Sequence, residues 1–178
     1  MKHPMGTVLS LAIMATAIAL PALAADLTVT MRKVTQDGTS EVLGTIIVSS
    51  TEGGANFTLH LHGLPPGPHG FHLHENANCG PTFLNGIRIP GGAAGEILDP
   101  DYTGKHEGPL GEGHIGDLPV LDVQADGTAT QTLTAPRLKD VETLKGRALI
   151  IQVGGDNYKD TPMRDGGGGG RLACGLVQ

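Results

Sequence analysis

Tryptophan is absent from the chain, and its larger aromatics are limited to three phenylalanines and two tyrosines. That excludes a core built on stacked aromatic rings. Aliphatic and β-branched side chains must fill the interior instead, which a β-barrel or sandwich of roughly 150 residues can do. Basic clusters are missing too: Lys and Arg number 12 against 18 Asp and Glu, for a net charge of −6. An acidic chain with no basic stripe is a poor match to nucleic acid. Beyond residue 25 there is no sustained helical period, and no apolar run is long enough to anchor the chain in a bilayer.

The beginning of the chain has a different composition. Lys2 precedes an uncharged run from Val8 to Leu20, followed by Pro21-Ala22-Leu23-Ala24-Ala25. A positive start, a short apolar stretch and small residues at its end describe a secretory signal over residues 1–24, cleaved near Ala24. The expected product is a single exported domain over residues 25–178, periplasmic or otherwise secreted, with no membrane span. Lys2 is the only charged side chain removed, so the charge becomes −6 − 1 = −7. Cysteine is confined to Cys79 and Cys174. Export favours their pairing over two reduced core thiols, and a bridge closing so long a loop would stabilise by about 4 to 5 kcal/mol in the chain-entropy account.

Strands are legible from period-two alternation. Leu27-Thr28-Val29-Thr30-Met31 and Phe57-Thr58-Leu59-His60-Leu61-His62 alternate apolar and polar. Further strands are expected at Val42–Ser49, Gly70–Glu75, Leu118–Gln124, Ala129–Ala135 and Arg147–Val153, with turns at Asp37-Gly38, Gly53-Gly54 and Asp126-Gly127. Two long excursions interrupt this rhythm, residues 76–117 and 154–170, the second ending in five consecutive glycines. Loops of that length in a small domain are functional or disordered. The glycine run is either a flexible spacer or a tight backbone path that brings Arg171 and Cys174 beside the first loop.

Histidines carry the chemistry. His72 and His74 are two residues apart on an expected strand, so they share a face and can aim at one metal ion. Together, His69-Gly70-Phe71-His72-Leu73-His74-Glu75, Gly104-Lys105-His106-Glu107-Gly108-Pro109, Gly113-His114-Ile115-Gly116-Asp117-Leu118 and Gly170-Arg171-Leu172-Ala173-Cys174-Gly175 resemble the copper-zinc superoxide dismutases of bacterial periplasms. The match runs in order over nearly all of residues 25–178. The resemblance implies an all-β fold, an eight-stranded Greek-key β-barrel with two long loops of the metal-binding and electrostatic type. It implies His72 and His74 as copper ligands, and His106, His114 and Asp117 as zinc ligands. It further implies a Cys79–Cys174 disulfide, Asp156 as the carboxylate linking the two sites, and Arg171 as the residue that attracts superoxide.

Two positions depart from the family pattern. The resemblance implies a histidine bridging both metals where Ile97 stands, and a last copper histidine where Gln152 stands. Residues 25–178 hold 8 − 1 = 7 histidines once His3 is set aside. His69 matches a structural position. His60 and His62 alternate with Phe57, Leu59 and Leu61 and should face solvent, as a polar strand face or a separate surface metal site. Glu96, beside Ile97, is a candidate fourth zinc ligand or else an exposed acid. The expectation is an exported metal-binding member of an oxidoreductase family, with zinc largely retained and a copper site that is weak or transient. Dismutase activity is expected to be weak or lost; the alternative is a working dismutase with a modified site. Superoxide or copper ions would be its partners, as a monomer or homodimer.

Overall fold

The computed structural model describes residues 25–178, and the expected signal at 1–24 lies outside them. Eleven strands follow in chain order: β1 (Leu27–Thr35), β2 (Gly38–Thr51), β3 (Gly54–Leu61), β4 (Gly67–His69), β5 (Phe71–His74), β6 (Thr82–Leu84), β7 (Ile87–Ile89), β8 (Leu121–Val123), β9 (Thr132–Ala135), β10 (Arg147–Gln152) and β11 (Arg171–Val177). One seven-stranded sheet runs in the order β5-β10-β11-β1-β2-β3-β9. Past Gly70, β4 continues the line of β5 and pairs with β8, so the barrel has 7 + 1 = 8 strands. The non-sequential neighbours β5 and β10, β11 and β1, β3 and β9 give it Greek-key character. No helix among the described residues is long and apolar enough to cross a membrane.

Alternation fixes which side chains enter. On β1, Leu27, Val29 and Met31 are buried while Thr28 and Thr30 are exposed, and β3 turns Phe57, Leu59 and Leu61 inward. The rings of Phe57 and Phe71 meet edge to face at 5.6 Å in the core. His60 and His62 are exposed, as their alternation requires.

β10 departs from alternation, because both its faces are covered. Leu149 and Ile151 join the barrel core, while Ala148 and Ile150 pack outward with Val34, Cys79, Ala94 and Cys174 in a second cluster. That cluster lies under the loop which the Cys79–Cys174 disulfide ties down, with Cα atoms 5.7 Å apart. β5 follows the same logic. Phe71 and Leu73 enter the core, yet His72 and His74, on the outer face, are also buried.

Several boundaries differ from the sequence reading. β11 was not anticipated, since Ala173-Cys174-Gly175 is buried without alternation. The segment expected over 118–124 is a three-residue strand, and Ala129 contributes a single bridge to Leu61 rather than opening β9. Inside the first long loop, β6 and β7 form a hairpin of their own.

Candidate metal centre

The outer face of β5 and the two long loops enclose a row of buried imidazoles. His72, His106 and His114 follow one another with ring centroids 5.3 Å and 5.9 Å apart, and His74 lies 6.3 Å from His72. His72 pairs across a backbone bridge with Asp117, and His74 with Ile97. Hydrogen bonding between the strand and the loops therefore sets the registry of the site.

At one end, His106, His114 and Asp117 offer donor atoms within 4.8 Å of one another, and all three residues are buried. His106 Nδ1 lies 2.8 Å and His114 Nδ1 3.5 Å from the same oxygen, Asp117 Oδ1. None of these three atoms makes a hydrogen bond. The other oxygen, Asp117 Oδ2, is saturated by the backbone N–H groups of Glu107 and Gly108 at 3.1 and 3.0 Å. Buried polar atoms without partners are costly, and three converging nitrogen and oxygen donors suit zinc. These residues fit that ion.

Asp156 joins this end to the other. Its Oδ1 accepts from His106 Nε2 and its Oδ2 from His72 Nε2, both at 2.8 Å. Burial opposes its ionisation, but the bonds from His106 and His72 outweigh that and hold the carboxyl well below the usual carboxylate range. Burial likewise disfavours a charged His106 ring. The carboxylates of Asp117 and Asp156 on either side prevail and raise its pKa to about 10 in the metal-free protein.

At the His74 end the donors are fewer. His74 Nδ1–H donates to the Gly95 carbonyl at 2.9 Å, which leaves Nε2 buried and without a partner. Burial, reinforced by Arg171, pushes this imidazole down to about 3, so it is neutral. His72 Nδ1 is similarly without a partner. Ile97 presents only hydrocarbon and is buried. The buried Gln152 side chain puts an unpartnered Oε1 against Gly70 and Gly168, where a β-carbon on either glycine would collide with it. Two imidazole nitrogens do not fit the four-histidine set expected of a copper dismutase.

Arg171 donates to the carbonyls of Gly91 and Gly95, linking β11 to the first loop. The glycine run is a tight path rather than a spacer. Gly166 has φ 72°, and a β-carbon there would meet Asp156 Oδ1 and His106 Nε2. Glu96 is exposed and belongs to neither metal-capable cluster found among the described residues.

Some supporting groups escaped the sequence reading. Asp160 accepts from the His106 backbone N–H at 3.0 Å, and the Tyr158 hydroxyl accepts from Val120 N–H at 2.8 Å. Neither has a spacing that would announce it.

A β-barrel bearing buried histidines and an aspartate under a disulfide-pinned loop defines a metal-binding barrel of the dismutase class. The family model for copper/zinc superoxide dismutase (SODC) matches residues 42–177, and the chain belongs to that family. It is 51% identical over 170 residues to superoxide dismutase [Cu-Zn] 2 of Salmonella typhimurium, covering 96% of this chain and 98% of the relative. The Cu/Zn superoxide dismutase from Brucella abortus superposes with a TM-score of 0.85 at 44% identity, over 86% of this chain and all of that one. A SOD-like protein from Bacillus subtilis superposes with a TM-score of 0.65 at 26% identity, over 85% of this chain and 97% of that one.

Proposed function

We propose that the protein is an exported, zinc-binding member of this family, periplasmic by its expected signal, whose copper site is incomplete and whose dismutase activity is weak or lost. One observation carries the reading. Three unpartnered donors converge at His106, His114 and Asp117, whereas only two imidazole nitrogens, on His72 and His74, are left beside Ile97 and Gln152. Zinc held by His106 Nδ1, His114 Nδ1 and Asp117 Oδ1 would supply a fixed positive charge that replaces the proton now shared around His106.

This chain's own residues would then act as follows. Asp156 holds His106 and His72 in fixed ring orientations. The Gly95 carbonyl fixes the His74 tautomer, and Arg171 secures the Gly91 and Gly95 carbonyls while its charge remains available to an anion. Dismutation needs a metal that cycles between two oxidation states with an open position, and a ligand set that holds both. Two imidazoles, an isoleucine and a neutral amide make a poor set for Cu(II).

A second reading is a functional dismutase converting superoxide to oxygen and hydrogen peroxide at a modified site. The presence of Arg171 and Asp156 favours it, as does 51% identity to a named dismutase. Superoxide decay, measured after copper and zinc loading and removal of free metal, separates the two. Baseline decay with zinc bound and Cu(II) lost is expected. Decay well above a zinc-only control, with copper retained, would establish the second reading.

A further inference from the structure

Two histidines take no part in the buried row. His60 and His62 are exposed on the outer face of β3, and in the sheet order β2, β1, β11 and β10 all lie between β3 and β5. We propose that this pair is a separate metal site, an exposed and exchangeable chelate for a divalent ion of the nickel, copper and zinc series. The inference stands whether or not the protein is a dismutase.

Cross-strand partners set the pair apart from the rest of its face. Thr58 Oγ1 meets Thr132 Oγ1 at 3.1 Å, and Thr134 Oγ1 donates to Asn56 Oδ1 at 2.7 Å, so the other polar side chains on this side of β3 find partners on β9. The same register puts His60 between Thr45 of β2 and Thr130, both short side chains. Among the described residues, no side chain or carbonyl hydrogen-bonds to the ring of His60 or His62. His69 shows the contrast: its Nδ1 faces the Gln152 carbonyl at 2.7 Å and its Nε2 the Pro65 carbonyl at 2.8 Å, which leaves no nitrogen for a metal.

The backbone beneath the pair is held from both sides. Leu59 and Leu61 are buried, and their N–H groups donate to the carbonyls of Gln131 and Ala129 at 3.0 Å, while His62 N–H donates to the Leu43 carbonyl at 2.8 Å. Alternate residues of such a strand are about 6.7 Å apart and point the same way. Two imidazoles leaning together from that spacing can close on one ion with bonds of about 2.0 to 2.1 Å. Once the first ring has bound, the second is supplied at high effective concentration and no backbone has to be ordered. Imidazole suits nickel, copper and zinc, and water fills the remaining positions. An ion held by two exposed rings exchanges readily, unlike one enclosed by His106, His114 and Asp117.

The test titrates untagged, zinc-loaded protein with Ni(II) in a calorimeter. One Ni(II) per chain is expected, with a Kd on the order of 10 µM. His60→Gln and His62→Gln should each weaken binding at least about tenfold, and the double variant should abolish it. Both positions are exposed, so zinc content and thermal midpoint should stay at the parent's values. His74→Ala should leave nickel uptake unchanged, which separates this site from the buried row. Paramagnetic broadening of amide NMR signals by Ni(II) should centre on Thr45, His60 and His62 and spare His72. Uptake that survives in the double variant, uptake lost in zinc-loaded His74→Ala, broadening centred on β5, or no binding below about 1 mM would each overturn the inference.

Discussion

The two ends of the imidazole row are built by the same strand and loops, yet they are left with different capacities. Around His106, each neighbour that could have competed for a donor is occupied elsewhere. Asp117 Oδ2 is held by two backbone N–H groups, Asp156 takes His106 Nε2, and three atoms remain aimed at one another. At the other end the rings are held equally well, His74 by the Gly95 carbonyl and His72 by Asp156. What is missing is the next donor, since Ile97 and Gln152 supply hydrocarbon and an amide. Orientation of a ligand and sufficiency of a ligand set are separate properties, and a site can have the first without the second.

Breaking the complete end should have the largest effect. Asp117→Asn removes the anionic donor and should weaken zinc binding by at least about a hundredfold, measured by chelator competition, with a lower thermal midpoint.

Completing the deficient end is the converse. Restoring imidazoles with Ile97→His and Gln152→His together should raise superoxide decay at least about tenfold over the parent, both copper-loaded. A folded, copper-retaining double variant with no gain would mean that the comparison rests on something other than ligand count.

Asp156→Asn, at the junction, tests both ends at once. Loss of the carboxylate that orients His106 and His72 should weaken zinc binding and any copper binding together, each by about 10- to 100-fold. A loss confined to one metal would show that the ends are oriented independently.

Proton linkage sharpens the contrast without mutation. In the metal-free protein the His106 pKa of about 10 stands above its ordinary 6.5, so its contribution to stability is complete below pH 6.5 and is lost as pH rises through 10. Asp156 has the opposite sign: its contribution is present above its ordinary 3.8 and is lost as pH falls below that. Thermal midpoints of metal-free protein should therefore decline from pH 6.5 to 10, and zinc binding at neutral pH should release about one proton, read from buffer-dependent titration heats. A flat alkaline profile would contradict the buried charge assigned to His106.

Glu96→Ala should do least. Glu96 is exposed and outside both clusters, so zinc affinity should change by less than about threefold, and a tenfold loss would make it a ligand after all.

Much of this arrangement was legible in the residues. Period two located β1 and β3 and turned His60 and His62 outward, because one buried face forces the register. His72 and His74 share a face for the same reason. Other features were not local. β11 escaped because Ala173, Cys174 and Gly175 are buried on both sides, under a cover supplied by a loop some 95 residues away in sequence. The Gly166 contact with Asp156 and the Asp160 bond to His106 depend on loop paths that no spacing encodes. The absence of imidazoles at 97 and 152 was plain in the sequence; that Gln152 Oε1 is held against two glycines was not.

The central claim, one complete end and one deficient end, is tested most directly by locating the metals. Crystals grown from protein loaded aerobically with both copper(II) and zinc, with anomalous scattering collected at the two absorption edges, would place each ion. The account predicts zinc at full occupancy among His106, His114 and Asp117, and no fully occupied Cu(II) on His72 and His74. A fully occupied Cu(II) on that pair, completed by Gln152 Oε1 or another protein donor, would contradict it.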